Sequence, residues 1–162
     1  MRRLLLLALA LCLLPGTAWA ALPSFKNHRI VLGKSIGGVS VGMTTKQALS
    51  KWGANELCPP PLTNGSCTWH SVDRGSASIY YTNGVVRTVD ISMSTDNHGA
   101  PIFKGQLMKI RTSKKIGMKN TVRQVLKAYP KFNGTTIGSG SHSTGFSTSG
   151  GRIYDIFVGS EV

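Results

Sequence analysis

A chain that states one pattern twice is constrained to fold as two copies of one small unit sharing a core. Val41-Gly42-Met43-Thr44-Thr45, continuing through Gln47-Ala48-Leu49-Ser50-Lys51-Trp52-Gly53, returns as Ile116-Gly117-Met118-Lys119-Asn120, continuing through Gln124-Val125-Leu126-Lys127-Ala128-Tyr129-Pro130. The offset is 75 residues at the two Gly-Met pairs and 77 in the segments that follow them. The expected architecture is therefore α+β, two tandem units of about 75 residues, each a short helical segment packed on an antiparallel β-sheet. Duplicated small modules more often build a shared binding surface than an active site.

The first twenty residues read as an address. Arg2-Arg3 gives the positive start, Leu4 to Leu14 the apolar stretch and Ala18-Trp19-Ala20 the small-x-small cleavage site of a secretory signal. Cleavage after Ala20 leaves a first unit over 21–93 and a second, basic unit over 94–162. The apolar run is shorter than the roughly 20 residues that span a bilayer, so no transmembrane segment is expected. A secreted, periplasmic or cell-envelope location follows, and the chain is expected to act as a monomer. Only Cys58 and Cys67 survive cleavage, and in an oxidising compartment they are expected to pair. No histidine lies at ligand spacing beside a second cysteine pair, so neither a metal nor a cofactor is called for.

Without Arg2 and Arg3 the chain holds 17 Lys or Arg against 6 Asp or Glu, a net of +11. The excess is lopsided. From Asn97 to Tyr154 there is no acidic residue, and Lys114, Lys115, Lys119 and Arg123 fall in that stretch as a candidate basic patch. In an exported protein the counterpart is an anionic envelope polymer, a lipid head group or an acidic protein. Nucleic acid is disfavoured by the signal and by the scarcity of aromatic residues among the basic ones.

Thr44 or Thr45 can cap the first helix, and Thr45, Ala48, Leu49 and Trp52 form one helical face ended by Gly53. Val122, Val125, Leu126 and Tyr129 hold the matching positions, and Pro130 stops the second helix. Trp52 and Tyr129 are thus expected as equivalent core anchors. Strands are predicted over Cys67 to Val72, Ala77 to Thr82, Val85 to Met93, Thr144 to Thr148 and Arg152 to Val158, with Asn83-Gly84 as a tight hairpin turn. Plain alternation sets Val89, Ile91 and Met93, with Tyr154, Ile156 and Val158, on one face. If helices cover that face, Ile79, Tyr81, Val86, Ile153 and Phe157 lie on the other, as an apolar candidate binding face. Asn133 to Ser143, almost all Gly, Ser and Thr, reads as a flexible loop.

Catalytic patterns are thin. Gly38-Val39-Ser40-Val41-Gly42 fits a nucleophile elbow, with Asp90, Asp96, His98 and His142 downstream. That elbow belongs to a parallel sheet of several βαβ units, for which two short helices are too few. The six acidic residues include no obvious pair for glycosidic chemistry, and Asp90 and Asp155, at matching strand positions, are read as structural or as charges that discourage edge pairing. The expected activity is therefore not enzymatic, with a small hydrolase using Ser40 or His142 as the alternative.

Gly42-Met43-Thr44, then Gln47, Leu49 and Gly53, then Cys58 and Cys67, resemble the repeat unit of the secreted β-lactamase-inhibitor protein fold. That fold is similar in turn to the SmpA/OmlA-type modules of outer-membrane assembly lipoproteins. Short secreted actinobacterial proteins with the same Trp-Gly helix end and later Ala-Tyr-Pro look similar throughout. The resemblance implies a fold and a mode of action: helices against an antiparallel sheet, and a macromolecular partner met by the sheet face and loops. It carries over no enzyme-blocking residue, and the missing second cysteine pair departs from the family pattern. The expected function is a secreted non-enzymatic binding protein acting on a protein or an anionic envelope polymer, with an adhesive module for anionic wall polymer as a further alternative.

Overall fold

The computed structural model describes residues 21–54, 58 and 62–159. The expected signal peptide lies outside the described residues. The chain is α+β, with two β-sheets and two short α-helices among the described residues. Helix α1, Thr45–Trp52, and helix α2, Val122–Ala128, begin with the same device. Gln47 N donates to Thr44 Oγ1 at 3.2 Å while Thr44 N donates to Gln47 Oε1 at 3.0 Å. In α2, Gln124 N donates to Thr121 Oγ1 at 3.3 Å and Thr121 N to Gln124 Oε1 at 2.8 Å. Each reciprocal pair satisfies donors that the first helical turn would otherwise leave open, which matters most in helices this short.

A small sheet contains β1 (Arg29–Val31), β2 (Ser35–Ile36), β3 (Val39–Ser40) and β7 (Arg111–Thr112) in the order β3-β2-β1-β7, with β1 and β7 parallel. The large sheet is antiparallel throughout. It contains β4 (Gly65–Ser71), β5 (Gly75–Thr82), β6 (Val85–Ser92), β8 (Thr136–Ile137), β9 (Thr144–Ser149) and β10 (Arg152–Gly159), ordered β4-β5-β6-β10-β9-β8. Three strands from each half thus meet at the central β6–β10 pair. The stretch from Asn133 to Ser143, expected as a plain loop, supplies the edge strand β8, which pairs with β9, and a 3-10 turn at Gly140–His142. Asn133 organises it: its Oδ1 accepts from Thr135 N and Thr136 N at 3.0 and 2.7 Å.

The core lies on one face of the large sheet. Trp52 is buried, edge-on to both Phe25 and Trp69 with ring centroids 5.4 and 5.3 Å away, and its Nε1 donates to Gly37 O at 3.2 Å. Cys58 and Cys67 form the expected disulfide, anchoring the segment after α1 to the buried side of β4. In the other half Phe132 and Phe146 meet edge-to-face at 5.7 Å. The second helix is less buried than its pattern suggests: Val125 is fully buried, Tyr129 is half-buried and Leu126 is 44% exposed.

The apolar candidate face is corrected by two β-bulges. In β5–β6, Tyr81 pairs with Val86 but Tyr80 pairs with Thr88, so Arg87 is an extra residue. In β9–β10, Ile153 pairs with Thr148 but Asp155 pairs with Ser147, so Tyr154 is extra. Side chains alternate, so one inserted residue inverts the faces beyond it. Ile79 consequently stands opposite Val89 and not opposite Thr88. Ile79, Tyr81, Val86 and Ile153 all turn into the core with Val89, Ile91, Ile156 and Val158, each no more than 2% exposed. Of that candidate set only Phe157 remains half-buried on the opposite face.

Candidate functional site

Two surfaces carry chemistry. The first is the outer face of the large sheet, made by the residues that alternate with the core set. Ser78, Tyr80, Asp90 and Ser92 come from β5 and β6, and Ser147, Asp155 and Phe157 from β9 and β10. The Phe157 ring lies against Gly145, where an added Cβ would fall 2.0 Å from a ring carbon, so glycine there makes room for the ring. Across the central pair Asp90 stands opposite Phe157 and Asp155 opposite Ser92, which makes Asp90 and Asp155 diagonal neighbours on one face.

Those two carboxyls meet in the middle of the sheet and not at an edge. The Asp90 carboxyl is pushed up to about 9, first by burial and then by its hydrogen bond to Asp155 and the charge Asp155 carries. At neutral pH Asp90 therefore keeps its proton and donates to Asp155, whose Oδ2 also accepts from Ser147 Oγ at 2.7 Å. Burial, with the two carboxylates behind it, raises the Tyr80 phenol, while a hydrogen bond with Ser78 works the other way. The face thus combines two aromatic side chains, one proton-sharing carboxyl pair and a field of hydroxyls. Plain alternation misses Tyr80 because it sets Tyr81 outward in its place, and the acidic pair requires the β6–β10 register, which joins residues 65 apart in the chain. The recurring Asp-Ile of 90–91 and 155–156 is the local trace of it.

The second surface is a basic groove of about 540 Å³ in the second half. It lies between the 114–116 turn and α2, lined by Lys114, Lys115, Ile116, Asn120, Gln124, Lys127 and Ala128. Two members of the sequence-predicted patch, Lys114 and Lys115, line it, and Lys127 joins them from α2. Lys119 and Arg123 are exposed but do not line it. Lys114 Nζ donates to Ala128 O at 2.6 Å and lies 4.9 Å from the centre of the Tyr129 ring, capping the end of α2 with a cation. Asn120 fixes the neighbouring turn: its Oδ1 accepts from Gly117 N at 2.9 Å and from Arg111 Nη1 at 3.2 Å.

Ser40, at the centre of the elbow-like motif, lies in β3 opposite Ser35, and its backbone N–H points to Met43 Sδ at 3.4 Å. Among the described residues no three His, Cys, Asp or Glu converge as metal ligands, and no helix is long and apolar enough to cross a membrane. No family model, no curated protein and no solved structure matches the chain.

Proposed function

We propose that this chain is an exported, monomeric, non-enzymatic binding protein of the β-lactamase-inhibitor-like kind, built by duplication of one α+β unit. It acts by laying the outer face of its six-stranded sheet, with the adjoining loops, on a macromolecular partner outside the cell or in its envelope. The observation that carries this reading is the division of the large sheet into a largely apolar inner face and an outer face bearing Tyr80, Phe157 and the Asp90–Asp155 pair. Half-buried aromatic side chains beside directional polar groups are the residues through which interfaces concentrate binding energy, about 2 kcal/mol or more where they are central. The disulfide agrees with an oxidising compartment.

Duplication is supported by a pair of backbone bonds that recurs with its helix-side residues 77 apart and its strand residue 67 apart. Gly42 N donates to Val86 O and Val86 N to Met43 O; likewise Lys119 N donates to Ile153 O and Ile153 N to Asn120 O. Thr44 and Thr121 cap the two helices at the same offset of 77. Both hairpins turn on two residues with positive φ, Asn83-Gly84 and Gly150-Gly151, and both carry their bulge three residues later. By this correspondence Gly42-Met43 matches Lys119-Asn120, so the Gly-Met echo at an offset of 75 is a neighbour of the true match.

The test is capture from the producing cell's envelope and medium, with wild type beside a Tyr80→Ser/Phe157→Ser variant of unchanged melting temperature. A partner retained by wild type and lost by the variant supports the sheet face. Hydrolysis of any envelope substrate that disappears in Ser40→Ala would overturn the non-enzymatic reading.

A further inference from the structure

We infer that the basic groove of the second half is a binding site for the phosphate groups of a linear polyanion of the glycerol-phosphate class. This goes beyond the sheet-face reading and uses none of its residues. The groove has an internal control, because the matching turn and helix of the first half carry Gly37, Gly38 and Ser50 where the second half carries Lys114, Lys115 and Lys127. All three exchanges converge on one depression, and one of them is unfavourable for the fold. Gly38 has φ 87 and Lys115 has φ 64; outside the groove, Gly42 at φ 86 is matched by Lys119 at φ 71. Glycine adopts this conformation freely, whereas a long side chain is strained there. Strain of this kind is kept where function requires the side chain.

The charges are also unbalanced. No acidic residue occurs from Asn97 to Tyr154, and the ion pair among the described residues, Lys104 with Asp73 at 3.4 Å, involves none of the groove lysines. Lys114 is occupied by the Ala128 carbonyl and the Tyr129 ring, while no hydrogen bond among the described residues holds the ammonium of Lys115 or Lys127. Lys114, Lys115 and Lys127 bring three ammonium groups to one depression, which suits a group that presents several anionic oxygens at once. Lysine serves phosphate as a mobile point charge in this way. The depression is shallow and open, so a thin flexible polyanion can lie along it, and the choice between such a chain and a charged membrane surface is made by the experiment.

The mature chain is titrated with a short glycerol-phosphate oligomer at low and high salt. Lys115→Gly/Lys127→Ser, which restores first-half residues, should weaken binding by about tenfold or more without lowering the melting temperature. Lys46→Ser/Lys51→Ser removes the same charge from exposed positions on α1 and should change binding less than about twofold. Lys127→Ser alone, on the exposed side of α2, keeps the test open if the turn variant unfolds. Equal losses from both double variants would reduce the site to a diffuse field and overturn it. So would undiminished binding in Lys127→Ser, or binding to anionic phospholipid vesicles with none to the oligomer. Tyr80→Ser/Phe157→Ser should leave oligomer affinity unchanged, so failure of the groove and failure of the sheet-face reading are seen separately.

Discussion

Trp52 and Tyr129 end the two helices at corresponding positions, yet one is core and the other is half surface. The difference begins one turn away. At Gly37 an added Cβ would fall 2.6 Å from Phe25 and 3.1 Å from Trp52 Nε1, so the first half closes its aromatic cluster by excluding a side chain. At the matching place the second half sets Lys114, whose ammonium covers Tyr129 where Phe25 covers Trp52. Tyr129 keeps a hydroxyl with no hydrogen-bond partner among the described residues, whereas the Trp52 indole N–H is satisfied by Gly37 O. The two helix ends thus differ in burial, with Gly37 standing beside Trp52 at the first and Lys114 beside Tyr129 at the second.

The sharpest way to break this comparison is truncation of both aromatics. Trp52→Ala should cost about 3–5 kcal/mol, the range for a large buried aromatic. Tyr129→Ala should cost less than half as much, because its ring is partly exposed and its neighbour is a solvated lysine. Equal losses in denaturant melts would show that the halves are energetically alike. Next is the bridge present in the first half alone: replacing Cys58 and Cys67 by alanine should cost about 2–3 kcal/mol and leave the fold cooperative. Free thiols in protein isolated from the producing cell would remove that asymmetry.

A smaller, pH-dependent effect probes the seam where the halves join. Asp90 holds its proton far more tightly when folded, with a value near 9 against the 3.8 of a free carboxyl. Between those values the folded state carries the extra proton, so the contribution of Asp90 to stability should be fully present below about 4 and decline as pH rises toward 9. Asp90→Asn keeps a donor facing Asp155 and loses the titration. Melting temperature plotted against pH should flatten in the variant, and parallel curves would refute the shared proton.

Local chemistry was legible in the sequence; long-range register was not. The cap at Thr44, one of the two threonines expected to supply it, the helix stop at Gly53, the Asn83-Gly84 turn and the Cys58–Cys67 bridge each depend on residues close in the chain, and each appears where expected. The assignment of sheet faces failed because alternation is counted from the turn, and Arg87 and Tyr154 each add one to the count without any distinctive residue type to betray it. The acidic pair was hidden for a related reason, since only the pairing of β6 with β10 brings Asp90 beside Asp155. Lys127 was visible as a charge, but its place in the groove depends on how α2 packs against the 114–116 turn.

The same bulges make strand length dispensable. Removing Arg87 would leave Tyr81 opposite Val86 and Tyr80 opposite Thr88, the pairs already present, and removing Tyr154 would likewise spare the pairs on either side of it. Each is a spare link, so a one-residue deletion there preserves which side chains are wet and which are dry.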